Sequence, residues 1–312
     1  MSDRVKGAVH EALPHDSALR HVTGEALYID DLPEPQGLLH VQLGLSEKAH
    51  ARLSRVDLDD VRAAEGVVCV LTAADVPGEN DVSPTHRHDE PLLAVDLVEY
   101  AGQPVFAVAA RTREQARRAV RLAVIEYEEL PAVLDAEAAL PGGTLVTDPL
   151  TLRRGDARAA IAAAPHRLAG RMRIGGQEHF YLEGQVAFAV PGEEDEIQVW
   201  SSTQHPSEIQ HMVAKVLGVP SHSVAVEVRR MGGAFGGKET QGNLFACVAA
   251  LVAKRTGRPA KIRPDRDDDM TVTGKRHDFL VDYEVGFDDE GRIQGLEMTF
   301  AARCGWSSDL SG

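Results

Sequence analysis

The chain has 312 residues and a formal net charge of −15. That length is enough for two domains with a sizeable core, and the excess of acid argues against nucleic acid or an anionic membrane as partner. No apolar run approaches the roughly 18–20 residues of a membrane span, and Met1 to Pro14 lack the apolar segment of a secretory signal, so a cytoplasmic location is expected.

After a polar tail over 1–19, residues 38–45 and Val67–Leu71 alternate as strands, and 103–109 give a third. A helix is expected over 112–122 and a short strand over 124–127. Together these make a small α+β domain over 20–130. Residues 131–148, with Pro141-Gly142-Gly143 among them, read as a linker. Over 149–312, strands alternate with helices expected at 156–163, Pro206–Leu217 and 244–254. Within this span Asp267-Asp268-Asp269 lacks the glycine and closing glutamate of a calcium loop and reads as a solvated turn. His86 and His88 could be taken for a metal pair, but the charges and prolines around them favour a solvated loop. Cys69, Cys247 and Cys304 lie far apart without a CxxC pair, so no iron–sulfur cluster is expected on this chain. Cys247 falls inside the apolar helix, as a small core residue would.

The densest signal is Met231-Gly232-Gly233-Ala234-Phe235-Gly236-Gly237-Lys238-Glu239, between the strand-like 224–228 and the apolar helix. Four glycines in six positions let the backbone approach a bulky polar ligand, and a following helix N-terminus favours an anion. From Gly232 to Lys238 the run matches the first seven positions of a nucleotide-binding P-loop. The eighth should be Ser or Thr to hold Mg²⁺, and here it is Glu239. Nucleotide binding and a glycine turn serving only packing are the two readings of the loop taken alone.

Four further motifs accompany it: Gly175-Gly176-Gln177-Glu178-His179-Phe180-Tyr181-Leu182-Glu183, Val199-Trp200-Ser201-Ser202-Thr203-Gln204, Arg263-Pro264-Asp265-Arg266-Asp267-Asp268-Asp269-Met270, and Thr273-Gly274-Lys275-Arg276-His277. In this order the set resembles the molybdenum-cofactor subunit of the xanthine dehydrogenase and aldehyde oxidase family. The likeness extends upstream through Gly24-Glu25-Ala26-Leu27-Tyr28-Ile29-Asp30-Asp31, Ala49-His50-Ala51 and Tyr127-Glu128-Glu129-Leu130-Pro131, and so covers the chain from about His21 onward. It implies an α+β protein: a hammerhead-like domain, then the first, incomplete part of a molybdenum-cofactor-binding domain over 149–312.

The resemblance also implies roles. Gln177 matches the glutamine that hydrogen-bonds an oxo ligand of molybdenum, a task for an amide that donates without adding charge. Phe235 lies beside the metal in the family, and Gly236 is where the backbone nears the cofactor. Glu239 matches the acid that hydrogen-bonds the heterocycle in purine-oxidising members, where aldehyde-oxidising relatives carry an apolar residue. The expected activity is therefore oxidation of hypoxanthine and xanthine toward urate, with water as oxygen source and electrons passed to iron–sulfur and FAD centres on a partner chain. The alternatives are an aldehyde or N-heterocycle hydroxylase of the same family, and a non-catalytic binding or assembly module.

One departure is large: the family's subunit is more than twice this length. Its general base, most pterin contacts and a purine-binding arginine are expected beyond Gly312, so no catalytic residue is assignable here. A fragment, a split subunit and a non-catalytic remnant all account for this. The 312 residues alone are expected not to oxidise purines, and the missing carboxy-terminal part is an expected partner.

Overall fold

The computed structural model describes residues 9–85, 87–142 and 145–311, which leaves His86 and Gly143 outside the described residues. The first part runs α1 (Ala18–Thr23), β1 (Leu39–Leu45), β2 (Ala51–Asp57), α2 (Asp59–Ala63), β3 (Val67–Leu71), β4 (Leu97–Val98), β5 (Pro104–Ala110), α3 (Arg113–Val120) and β6 (Val124–Glu129). The second runs α4 (Ala136–Gly142), α5 (Ala157–Ala163), β7 (His166–Ile174), β8 (Ala187–Pro191), β9 (Ile197–Ser201), α6 (Pro206–Leu217) and β10 (Val224–Glu227). It closes with α7 (Gly242–Thr256), β11 (Ala260–Ile262), α8 (Arg266–Val272), β12 (Phe279–Phe287) and β13 (Ile293–Ala302).

Two expectations change. Helix α4 sits inside the stretch read as a linker: Asp135 caps it by accepting the Ala138 N–H at 2.8 Å, and its Glu137 pairs with Arg171 and Arg173 of β7. The acidic run 267–269 is the first turn of α8 rather than a solvated turn. Asp265 caps it by accepting the Asp268 N–H at 2.9 Å, acids at an N-terminus suit the helix dipole, and Asp269 is buried.

One sheet joins the two parts of the chain, in the order β10-β9-β8-β11-β1-β5-β3. The joint is the parallel pairing of β1 with β11, Leu39 opposite Ala260, while β5 pairs antiparallel on the other side of β1. Every residue of β5 is buried, because both of its faces are covered. Ala107 and Ala109 belong to the core under α6 and α7, and Phe106 and Val108 to a second core with Leu58, Val61 and Ala119 of the α2–α3 side. Helix α7 is apolar on all sides, so it is buried from Phe245 to Ala253, with Cys247 fully enclosed. Strands β4, β2 and β6 form a small separate sheet. Among the described residues no helix is long and apolar enough to cross a membrane.

The third sheet, β13-β12-β7, has two unlike faces. On one, Gly286 and Gly295 admit α5: a Cβ on either would stand within 3 Å of Ile161 backbone atoms. On the other, directly opposed residues share a face, and Met172, Val281 and Phe300 line up across the three strands. Leu168, Leu296 and Met298 extend the same apolar surface, with Met172 54% and Phe300 60% exposed. A contiguous apolar face on a sheet with two open edges favours association. Phe300→Glu is expected to move the purified chain toward monomer mass in light-scattering chromatography while changing stability by less than about 0.5 kcal/mol. A wild-type chain already monodisperse at monomer mass would contradict this.

The last segment packs back on the first part of the chain. Trp306 stacks on Tyr100 with centroids 4.9 Å apart, Ser307 Oγ donates to Glu90 at 2.7 Å, and the Ser308 N–H donates to Asp89 at 2.8 Å. Burial, aided by the neighbouring Asp309 and Asp89 charges, pushes the Glu90 carboxyl up to about 7. The folded chain thus retains a proton between pH 4.5 and 7 that the unfolded chain releases. This contribution is present at low pH and lost as pH rises through 7, on the order of 3 kcal/mol in all. Glu90→Gln should flatten the decline in urea midpoint between pH 5 and 8; an unchanged decline would assign it to other groups.

Candidate functional site

Residues 231–239 leave the sheet after β10 as an open loop, and α7 starts only at Gly242. A P-loop leads its lysine straight into a helix whose N-terminus cradles phosphate; here Glu239, Thr240 and Gln241 intervene. The lysine is also misplaced for that task. Lys238 is fully buried beneath the loop, its ammonium donating to the Glu183 carbonyl at 2.7 Å, to Ser202 Oγ at 2.6 Å and to Glu183 Oε2 at 3.2 Å. It also lies 4.6 Å from the centre of the Tyr181 ring. The nucleotide-binding reading therefore fails on geometry.

Three of the other four motifs converge on this point, while the fourth meets Gln241 just beyond the loop, whose Oε1 accepts the Gly274 N–H at 2.7 Å. Glu183 Oε2 accepts the Gly232 N–H at 2.8 Å and the Ser202 hydroxyl at 2.8 Å. Gln204 Oε1 accepts the Gly236 N–H at 3.0 Å, and the Gln204 N–H donates to the Lys238 carbonyl at 2.8 Å. Gln185 Nε2 donates to the Gly237 carbonyl at 2.9 Å and to the Tyr181 hydroxyl, which itself donates to Asp269 Oδ1 at 2.6 Å. Arg266 holds the Tyr181 and Leu182 carbonyls from outside. Burial first, then the hydrogen bond to Asp269, raises the Tyr181 hydroxyl well above the usual tyrosine range. Burial also pulls Lys238 below the usual lysine value, with the Glu183 carboxylate opposing.

The glycines explain how closely the segments meet. A Cβ at Gly232 would stand 2.6 Å from Glu183 Cβ, and one at Gly237 2.6 Å from the His179 ring. Gly236, at φ +94°, has only His179 Nε2 near its outer side, at 3.9 Å. The side chains the resemblance singled out are at the surface. Phe235 is 74% exposed in a left-handed conformation at φ +57°, and Phe180, in the motif that packs on the loop, adopts φ +48°. A non-glycine residue held there marks a local constraint. Glu239 is exposed, and among the described residues its carboxylate meets no donor. Gln177 is exposed too, its Oε1 accepting from Arg276. Phe235, Gly236 and Glu239 share one loop, while Gln177 stands at the start of the segment whose His179 and Tyr181 pack against it; no hydrogen bond joins Gln177 to the loop.

Sequence reasoning passed over Lys238 as a structural residue, and over Gln185 and Ser202, and it placed the buried Asp269 in a solvated turn. The Glu79, Asp81 and His88 groups do converge, but on a lysine. Asp81 Oδ2 meets the Lys215 ammonium at 2.5 Å and His88 Nδ1 at 2.7 Å, so Lys215 supplies the positive charge there.

Comparison with known proteins accords with this arrangement. Residues 23–131 match the a/b hammerhead domain of aldehyde oxidase and xanthine dehydrogenase, and residues 141–312 match the molybdopterin cofactor-binding domain. The chain belongs to the xanthine dehydrogenase and aldehyde oxidase family. It is 44% identical over 300 residues to xanthine dehydrogenase of Drosophila pseudoobscura pseudoobscura, covering 95% of this chain and 22% of that one. To the xanthine dehydrogenase/oxidase of Mus musculus it is 41% identical over 304 residues, covering 97% and 23%. Among solved structures, the aldehyde oxidoreductase of Desulfovibrio gigas superposes with a TM-score of 0.82 at 25% identity, covering 93% of this chain and 34% of that one. Quinoline 2-oxidoreductase of Pseudomonas putida 86 gives 0.80 at 29%, covering 92% and 38%. The chain thus spans less than a quarter of the length of these curated relatives.

The residues present fit a bound molybdenum cofactor. Among the described residues, the amides of Gly233, Ala234 and Phe235 donate to no protein group, although the loop around them is fully tied down. Three consecutive N–H groups without a protein acceptor, on a fixed loop where Ala234 is buried and Phe235 exposed, suit an anionic, oxygen-rich ligand. Removing the charge beneath the loop should be costly. Lys238→Met leaves the Glu183 carboxylate, only 12% exposed, without its cation, and is expected to destabilise the chain by about 3–5 kcal/mol. Adding Glu183→Gln should recover part of that loss. A urea midpoint unmoved by Lys238→Met would contradict the buried-pair assignment.

Proposed function

We propose that the chain is the amino-terminal part of the molybdenum-cofactor subunit of a xanthine dehydrogenase-type hydroxylase acting on purines. The observation that carries this reading is the clamped loop, which displays Phe235, Gly236 and Glu239 outward while a buried lysine holds it from below. The cofactor, when bound, supplies the oxidising centre at which a substrate carbon takes up oxygen derived from water. The chain's own part is to bind and orient. Gln177 offers its amide N–H groups, Gly236 lets the backbone come close, and the Phe235 ring gives an apolar wall that excludes water. Glu239 accepts a hydrogen bond from a ring N–H of the purine, and a carboxylate with no protein partner is suited to that.

The reading extends to what this chain does not carry. A general base, the rest of the pterin contacts, and iron–sulfur and FAD centres belong to further polypeptide or a partner subunit. The exposed apolar face of β13-β12-β7 supports a surface covered in the assembled enzyme. The second reading, an aldehyde or N-heterocycle hydroxylase, draws on the solved aldehyde and quinoline oxidoreductases of the same fold. It is disfavoured by Glu239 and by the names of the more identical relatives.

The two separate on one substitution in a completed enzyme carrying this segment. Glu239→Val should lose about 1.5–3 kcal/mol of substrate hydrogen bonding, roughly ten- to a hundredfold in kcat/KM for xanthine and hypoxanthine, with aromatic aldehydes spared or improved. Gln177→Ala should lower all substrates alike. Equal losses on every substrate in both variants would remove the support for a purine.

A further inference from the structure

The antiparallel ladder between β7 and β12 ends at Ile174 opposite Phe279. Three residues beyond the end of each strand, at the same offset, Gln177 stands opposite Arg276. The Arg276 N–H donates to the Gln177 carbonyl at 3.2 Å, and Arg276 Nη1 donates to Gln177 Oε1 at 3.3 Å. Directly opposed residues of an antiparallel pair project to the same side, which is why two side chains distant in sequence meet. The neighbours hold this juncture closed. A Cβ at Gly176 would stand 2.4 Å from the Arg276 carbonyl oxygen, so only glycine permits the approach. On the other side, the Lys275 ammonium pairs with the Glu178 carboxylate at 2.9 Å.

A guanidinium only donates, so the amide end facing it must be the oxygen. That leaves both N–H bonds of Gln177 directed elsewhere. With the amide turned over, two donors would face each other. We propose that Arg276 is a positioning residue for Gln177: it fixes the amide with its nitrogen outward, so that Gln177 acts as a donor. The inference rests on the reading of Gln177 as the donor to a molybdenum-bound oxygen, and gives that reading a means of fixing which end of the amide is presented.

The test has one arm without the cofactor. In the full chain with ¹⁵N-labelled glutamine side chains, Gln177→Ala identifies the Gln177 NH₂ resonances. Arg276→Met keeps the aliphatic stem of this exposed residue and should leave the thermal midpoint unchanged, while the Gln177 NH₂ pair moves toward free-glutamine shifts and mobility; Arg276→Lys should do so only partly. Unaltered Gln177 resonances in Arg276→Met would overturn the proposal. The second arm uses the complete molybdenum enzyme. Arg276→Met should lower kcat by roughly two- to tenfold, the range expected for one hydrogen bond, with KM little changed. In a Gln177→Ala background the same change should have less than about a twofold effect. Equal losses in both backgrounds would show that Arg276 does not act through Gln177. Full turnover in Gln177→Ala alone would instead sink the molybdenum reading of Gln177, and the resonance arm would still decide the role of Arg276.

Discussion

The buried ammonium of Lys238 is the contact on which the site depends. A fully enclosed cation is tolerated only where its three protons and its charge are all answered, and here they are met by the Glu183 carbonyl, the Glu183 carboxylate and the Ser202 hydroxyl. Each partner also holds something else. Glu183 Oε2 takes the Gly232 N–H, so the entry of the glycine loop is tied to the same charge pair as its exit. Ser202 directly follows β9, which sets the loop's position relative to the main sheet. The loop is thereby pinned from inside and shows the Phe235 and Glu239 side chains outward.

This arrangement explains why an apparently phosphate-binding sequence does something else. The glycines serve close approach between chain segments: Gly232 to Glu183, Gly237 to His179. They do not wrap a phosphate, because the amides of Gly232, Gly236 and Lys238 are already taken by Glu183 and Gln204. What stays free is a short arc from Gly233 to Phe235. The groups that hold the loop around it, among them Tyr181, Glu183, Ser202, Gln204, Arg266 and Asp269, come from three of the accompanying motifs. Asp269 shows the same logic one shell out: its carboxylate, buried at the end of the first turn of α8, receives the Tyr181 hydroxyl and the Gln185 N–H and so fixes the floor beneath the loop.

The two parts of the chain are not independent bodies joined by a tether. The parallel pairing of β1 with β11 places strands from both in a single sheet, and α7 packs a core that draws on Leu39, Val41 and Leu43 as well as on Ala187 and Ala189. The loop's rigidity therefore draws on the first part as well as the second. By contrast, the β13-β12-β7 sheet leaves one apolar face open, and the side chains proposed to meet the cofactor are open too.

The sequence by itself determined the periodic elements. Helix Pro206–Leu217, strand Val67–Leu71 and the apolar core of α7 follow from local patterning, because a helix or strand needs only its own spacing to bury one face. It also determined the family, since five ordered motifs were present, and it pointed to Gln177, Phe235, Gly236 and Glu239 as the residues to look at. It could not decide what the lysine of the loop does, because burial depends on groups from 36 to 55 residues away. Nor could it find that Asp269 is internal, that residues 136–142 form a helix, or that Arg276 faces Gln177 across 99 positions. Those facts are set by long-range register and close approach, and only the tertiary structure brings the partners together.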